Sequence, residues 1–281
     1  MYLWKQYWTR LADAHAHSDA QGLAPVLHPD VPAWFNTGID RLQARAWSRA
    51  VGGLPLASDK QILDVGCGTG RWLRRYGERG LRAVGVDATP GMLSRALELR
   101  PGSAVAAGLA EGLPFRSASF DAVSSVTVVQ HLAPHAQENA LAEFARILRA
   151  GGHLLLFELI RGRDTHIFPR APQEWIRAAA AHDLRVVRWF GEEFLPLDRM
   201  FVWLAQRVRS RVVPSGPDGN EEPVGAATAA RPPESLRNFY WSFRHLVFGL
   251  SAWMEPLAES LSRADWATHG VFVFQKTEGH S

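Results

Sequence analysis

ILDVGCGTG, Ile62–Gly70, runs from an apolar stretch through three glycines at every second position into RWLRRYGER, Arg71–Arg79, which reads as a helix. Glycine at Gly66, Gly68 and Gly70 permits a sharp turn and lets the backbone approach a ligand with no Cβ in the way. The next apolar run, RAVGVD (Arg82–Asp87), ends on an acid placed 21 residues after Gly66. At that separation open α/β sheets set a carboxylate on a ribose hydroxyl, so an adenosine-bearing ligand is expected.

Outward from this unit, apolar runs and helical patterns alternate. Strands are expected at Gln61–Gly66, Arg82–Asp87, Ser103–Gly108, Phe120–Val128, Gly152–Leu159 and Leu184–Gly191, with a last one in THGVFVFQK, Thr268–Lys276. Several are continuously apolar, as parallel strands covered on both faces must be. Helices are expected at Gly70–Arg79, Pro90–Leu99, Gln137–Arg149 and Pro172–His182, and Arg149-Ala150-Gly151-Gly152 supplies a basic last turn and a glycine stop. Four segments follow: N-terminal helices over 1–57, a sheet core over 58–191, a helical insertion over 192–267 with a flexible loop at 213–234, and a final strand and tail over 268–281.

The identity of the ligand follows from detail. A dinucleotide fingerprint holds a pyrophosphate on G-x-G-x-x-G; here Asp64 stands two residues before the first glycine, where a carboxylate repels a pyrophosphate and suits a cationic amino-acid group. With GLAEGLPF (Gly108–Phe115), SFDAV (Ser119–Val123), VTVVQHL (Val126–Leu132) and RILRAGGHLLL (Arg146–Leu156) following in order, the chain resembles the class I S-adenosylmethionine-dependent methyltransferases, in the broad type 11-like small-molecule subgroup that includes the quinone methylases. The resemblance covers Gln61 to Phe157. It implies a Rossmann-like, mostly parallel seven-stranded α/β sheet with N-terminal helices and a helical insertion before the last strand.

By the same resemblance, Asp64, Gly66, Cys67, Gly68, Thr69 and Gly70 hold the methionine end of the cofactor and Asp87 the ribose. Ala88 and Met92 face the adenine, Leu109, Ala110 and Glu111 its edge, and Thr127 and Val128 the floor beside the sulfonium. Leu109 replaces the family's usual acid, which leaves backbone or Glu111 to meet the adenine amino group. A hydroxyl acceptor must lose its proton during attack, and the base is sought in His131 and Glu158 at two strand ends, with His135 and His166 as further candidates. The expected reaction is methyl transfer to O or N of a small or medium-sized, partly apolar acceptor of natural-product, glycan or lipid-linked type. C-methylation of a quinone-like acceptor, an NAD-dependent oxidoreductase and a non-catalytic cofactor-binding protein are the alternatives.

Composition narrows the classes. The 281 residues are 47% hydrophobic and 21% charged, which is globular. Cys67 stands alone, so neither an intrachain disulfide nor a multi-cysteine metal site is available, no metal is expected, and the cytoplasm is the default compartment. A net charge of +3 with acids interspersed argues against a nucleic-acid partner. No apolar run reaches the ~20 residues of a membrane span. The aromatic N-terminus (Tyr2, Trp4, Tyr7, Trp8, Trp34, Phe35) and the helices before the last strand are both expected to cover the crevice, and the apolar, aromatic stripe of Leu236–Leu257 reads as a lid over the acceptor, as ordinary core or a homodimer seam, or as a peripheral membrane contact.

Overall fold

The computed structural model describes residues 4–15, 20–29, 31–162, 167–212, 234–261 and 263–277. His166 and residues 213–233 of the loop expected over 213–234 lie outside them, and Glu234 begins a helix instead. Two compact units emerge, Met1–Glu193 with Arg263–Ser281, and Phe194–Ser262.

The first unit holds the sheet. Its strands are β1 (Gln61–Val65), β2 (Arg82–Asp87), β3 (Ala104–Ala107), β4 (Phe120–Val126), β5 (Leu148–Leu159), β6 (Leu184–Glu192) and β7 (His269–Lys276). They lie in the order β3-β2-β1-β4-β5-β7-β6. Pairs β1–β2, β1–β4, β2–β3 and β4–β5 are parallel, while β7 runs antiparallel between β5 and β6. The winding reverses at β1, from which the chain proceeds on one side to β2 and β3 and on the other to β4 and β5, and that switch opens a crevice at the carboxyl ends of the strands.

Helices α1 (Trp4–His15), α2 (Ala33–Val51), α3 (Arg71–Glu78), α4 (Pro90–Leu99), α5 (Pro134–Ile147) and α6 (Pro172–Ala180) belong to this unit. Its core is aromatic. Trp47 of α2 packs on Tyr76 of α3 with ring centroids 5.2 Å apart, and Trp72 meets Phe157 of β5 at 6.3 Å, over Ile62, Ala122, Val271 and Val273. Burying such large rings supplies about 1.5–3 kcal/mol each, so α2 is held by the same apolar contacts as the sheet.

Several boundaries differ from the sequence pattern. Helix α5 starts at Pro134, where the fixed φ of proline suits a first helical position, and stops at Ile147. Leu148–Gly152 instead joins β5 through an irregular register, with Gly151 left-handed at φ 73°. Strand β4 ends at Val126, and Val129–His131 coil into a 3-10 turn.

The second unit is a helical hairpin. Helices α7 (Pro196–Val212) and α8 (Glu234–Leu261) run antiparallel, since Leu195 meets Glu255, Asp198 meets Arg244, and Phe201 meets Tyr240. No helix among the described residues is long and apolar enough to cross a membrane.

Candidate active site

A cavity opens where β1, β2 and β4 end. All three loop glycines are left-handed, with φ of 69° at Gly66, 52° at Gly68 and 77° at Gly70. A Cβ on Gly66 would lie 2.3 Å from Val128 Cγ2, and one on Gly68 2.5 Å from Val26 Cγ1. Backbone sign and lack of space both demand glycine at these two positions.

Asp87 fixes the loop from the second strand. Its Oδ2 accepts the Gly68 N–H at 2.9 Å and its Oδ1 the Thr89 N–H at 2.8 Å. Each carboxylate oxygen keeps a further lone pair for a donor in the cavity. Burial pushes this carboxyl above its ordinary range, against the pull of the Gly68 and Thr89 N–H groups.

Asp64 lies behind the loop, 1% exposed. Ser124 Oγ donates to its Oδ1 at 2.8 Å, and Tyr76 Oη stands 2.5 Å from that Oγ. Oδ2 has no partner among the described residues. Burial pushes the carboxyl up to about 7, opposed by the Ser124 bond and the Arg71 charge. A buried acceptor without a donor is costly unless a ligand supplies one, and a cationic donor is what this position suits.

Arg71, directly after the third glycine, also lines the cavity. Its guanidinium donates to Asp40 Oδ1 at 3.1 Å and Gln43 Oε1 at 2.7 Å, and Arg75 donates to Asp40 Oδ2 at 2.6 Å. Burial works to raise the Asp40 carboxyl, but the bonds and charges of Arg75 and Arg71 hold it below its ordinary range. A fixed cation therefore stands close to the unpartnered acid.

The wall opposite the loop hangs on Glu158. This fully buried side chain accepts backbone N–H groups from Val128 at 3.3 Å, Val129 at 3.0 Å and Gln130 at 3.0 Å. Burial pushes its carboxyl up to about 8 against those three bonds. Just before them Thr127 is left-handed at φ 56°, with its N–H on the Phe157 carbonyl at 2.7 Å. A β-branched residue in that region is strained by about 1–3 kcal/mol, and the grip of Glu158 on the following N–H groups keeps it there. His131 closes the turn, with its ring edge-on to Trp8 of α1 at 5.2 Å.

Gly66, Cys67, Gly68, Asp87, Ala88, Met92, Ala110, Glu111, Thr127, Val128 and His131 are brought together around the cavity. Asp64, Thr69, Gly70, Leu109 and Glu158 stand outside its lining. The Thr69 hydroxyl donates to the Gly22 carbonyl at 2.7 Å, Gly70 precedes the first turn of α3, and Leu109 bridges Gly112 at the surface. One buried oxygen of Glu111 has no partner among the described residues, as an acceptor for an amino group would require. Cys67 packs against Leu73 and Leu93, and burial pushes its thiol well up, which leaves it without nucleophilic character.

Trp8, Val26, Arg71, Trp72, Thr89 and Leu132 also line the cavity, with Val65, Val86, Gly108 and Val126; of these, Trp8 belongs to the aromatic N-terminus expected over the crevice, and Val26, Arg71, Trp72 and Thr89 were not singled out. The place of Arg71 after the glycines was a usable signal; Trp8 stands 58 residues upstream of Gly66, and its signal was the aromatic N-terminal stretch it belongs to. An unpartnered acid and a cation at one end, a second acid at the end of β2, and Met92 with Glu111 beyond it fit a ligand carrying an amino-acid group, a ribose and an adenine.

Residues 63–156 match the Methyltransferase domain family. A demethylmenaquinone methyltransferase of Beutenbergia cavernae is 35% identical over 124 residues, covering 44% of this chain and 50% of that protein. A malonyl-[acyl-carrier protein] O-methyltransferase of Serratia marcescens is 38% identical over 103 residues, 37% of this chain and 40% of that protein. The chain thus spans half or less of the length of these relatives. Among solved structures, Haemonchus contortus phosphoethanolamine N-methyltransferase 2 in complex with S-adenosyl-L-methionine aligns with a TM-score of 0.52 at 17% identity, over 96% of this chain and 60% of that one. The [4+2]-cyclase SpnF aligns with a TM-score of 0.53 at 15% identity, over 84% of this chain and 81% of that one. These two likenesses establish the fold.

Proposed function

We propose that this chain, which carries a class I S-adenosylmethionine-dependent methyltransferase domain, transfers a methyl group to O or N of a small or medium-sized, partly apolar acceptor. The observation that carries this reading is Asp64: a fully buried carboxylate with one unpartnered oxygen behind a glycine loop. In that setting it offers an ammonium its counter-charge, while a pyrophosphate in the same place would be repelled. Arg71 answers the ligand's carboxylate, Asp87 accepts from the ribose hydroxyls, Met92 and Ala88 pack on the adenine, and Glu111 accepts from its amino group.

The bound cofactor supplies an electrophilic methyl carried on sulfur. The protein then aligns the acceptor and keeps water out. His131, on the turn held by Glu158, is placed to take the proton that a hydroxyl acceptor releases, at whichever ring nitrogen faces it. Trp8 packs edge-on against this ring, giving the acceptor an aromatic wall and fixing the imidazole plane. Glu158, whose oxygens already accept three N–H groups, acts as a positioning residue. The relatives that are demethylmenaquinone methyltransferases favour carbon of a quinone-like ring as the second reading of the acceptor. Calorimetry with S-adenosylhomocysteine against NAD, followed by labelled-methyl transfer to phenols, sugars, amines, quinones and lipid extracts, tests both levels. Tight NAD binding with no S-adenosylhomocysteine binding overturns the assignment.

A further inference from the structure

Trp72, the second residue of α3, is buried in the aromatic core and also forms part of the cavity wall. Its ring stacks on Tyr76 with centroids 6.2 Å apart, meets Phe157 at 6.3 Å and belongs to one cluster with Val126, another lining residue. These contacts hold the indole in place. Its Nε1, however, is a buried donor with no partner among the described residues.

An indole has one polar atom, which can only donate, and the N–H of a buried tryptophan usually finds an acceptor. Trp175 follows that rule: it is fully buried, and its Nε1 donates to the Leu159 carbonyl at 3.4 Å. Trp47 Nε1 also lacks a partner, but Trp47 lies against Tyr76 and outside the cavity lining. Among the described tryptophans, only Trp72 joins a stranded donor to a place in the wall. Leaving such a donor unmet in the folded protein is costly, and a ligand that brings an acceptor recovers the cost.

The neighbours of Trp72 decide which acceptor that is. Arg71 Cζ lies 5.1 Å from the indole centroid and Arg75 Cζ 4.8 Å. Asp40 takes bonds from both guanidinium groups, so one carboxylate answers two cations and positive charge is left over for an anion. Asp64, which feels the charge of Arg71, offers an unmet buried acceptor in return. A stranded donor beside excess positive charge, with a stranded acid close by, suits a zwitterion, and its halves can be assigned. An ammonium brings only donors and goes to Asp64; a carboxylate brings only acceptors and goes to Trp72 and Arg71.

We propose that the Trp72 indole N–H donates to the carboxylate of the ligand's amino-acid group. This rests on the cofactor reading above and deepens it: Arg71, whose terminal nitrogens are engaged by Asp40 and Gln43, supplies charge, while the locked indole supplies direction. The test titrates the full chain, labelled with ¹⁵N at the indole nitrogen, with S-adenosylhomocysteine and separately with 5′-methylthioadenosine, which lacks the amino-acid group. The Trp72 signal is identified by its loss in Trp72→Phe, or in Trp72→Leu where the Phe variant does not fold. Its proton should move downfield with S-adenosylhomocysteine and stay in place with 5′-methylthioadenosine. By calorimetry, Trp72→Phe, which keeps an aromatic ring against Tyr76 and Phe157, should weaken S-adenosylhomocysteine about 10- to 100-fold and 5′-methylthioadenosine by no more than about twofold. An unmoved indole signal on saturation with S-adenosylhomocysteine, or equal losses for the two ligands, overturns the assignment and leaves Trp72 a packing role. If S-adenosylhomocysteine does not bind the parent chain at all, the cofactor reading falls and takes this assignment with it.

Discussion

Ionisation of Asp64 should govern cofactor affinity near neutral pH. Burial sets this carboxyl at about 7, and an ammonium bonded at Oδ2 rewards only the charged form. The apparent dissociation constant then scales as one plus the ratio of protonated to ionised Asp64: about elevenfold above its limit near pH 6, and about 1.1-fold near pH 8. Affinity for S-adenosylhomocysteine, whose ammonium stays charged over this interval, should therefore rise about tenfold from pH 6 to pH 8. Binding near pH 6 should release close to one proton, visible as a dependence of the calorimetric enthalpy on the buffer's ionisation heat. Asp64→Asn should flatten the profile and weaken binding near pH 8 by about 10- to 100-fold, the worth of one charge-assisted bond. Stability of the ligand-free protein moves the opposite way. Because the folded-state pKa lies above the unfolded one, folding takes up a proton between about pH 4 and 7, so stability falls across that window, by up to about 4 kcal/mol. Near pH 8 the Asn variant should accordingly unfold at higher urea than the parent. A flat affinity profile without proton release, or a slope that survives Asp64→Asn, would refute the placement of the ammonium.

Three further outcomes follow from the geometry. Gly66→Ala forces a left-handed alanine into Val128, and titration calorimetry should show cofactor binding weakened more than about tenfold, with about 2 kcal/mol lost in urea unfolding. Glu158→Ala strands three buried N–H groups and should cost on the order of 3–6 kcal/mol, whereas Glu158→Gln, which keeps one acceptor oxygen, should lose less than half of that; equal losses would deny the turn its dependence on the carboxylate. With the acceptor identified, His131→Ala should lower kcat for a hydroxyl acceptor by about 10²–10⁴ while S-adenosylhomocysteine affinity stays within about twofold, and unchanged turnover would remove His131 from proton transfer.

Short-range signals carried the part of the site that sequence could reach. ILDVGCGTG and the acid 21 residues on encode a local strand, turn and helix with one neighbouring strand, so their geometry is written in contiguous residues. The same holds for Ala88, Met92 and Glu111, each within a few residues of a strand end. Glu158 shows where this stops. Its position at the end of β5 was legible, but whether its carboxylate faced a ligand or a backbone turn depended on the way Val128–Gln130 coil, and alternating apolar residues do not announce a 3-10 turn. Trp8 was legible in part: its aromatic N-terminal stretch pointed to a cover over the crevice, but nothing in the order of residues pairs that ring with His131. The α7–α8 pair was half legible, since the apolar stripe has a helical period, while the polar contacts between the two helices join residues about 50 apart.

Arg71 explains why the N-terminal residues bear on the site, although they precede every strand. Its guanidinium reaches Asp40 and Gln43 of α2, and Gln43 spends its other end on Glu193, whose second oxygen lies 3.0 Å from His269 Nδ1 at the start of β7. Burial disfavours charge on His269, yet the Glu193 carboxylate holds its pKa above the ordinary value. A buried polar chain of this kind stabilises only while every member is paired, because each partner removed leaves a desolvated charge or amide behind. Helix α2 therefore has two separate holds on the fold: apolar contacts through Trp47, and a polar connection that runs from the cofactor loop to the far side of β5. The second hold matters for function. A lone arginine beside the cavity would swing toward whichever anion was nearest, including Asp64; fixed by Asp40 and Gln43, it stays in place and leaves Asp64 Oδ2 open for an ammonium. Under the proposed function, the α2 residues thus set the separation of opposite charges that an amino-acid group requires.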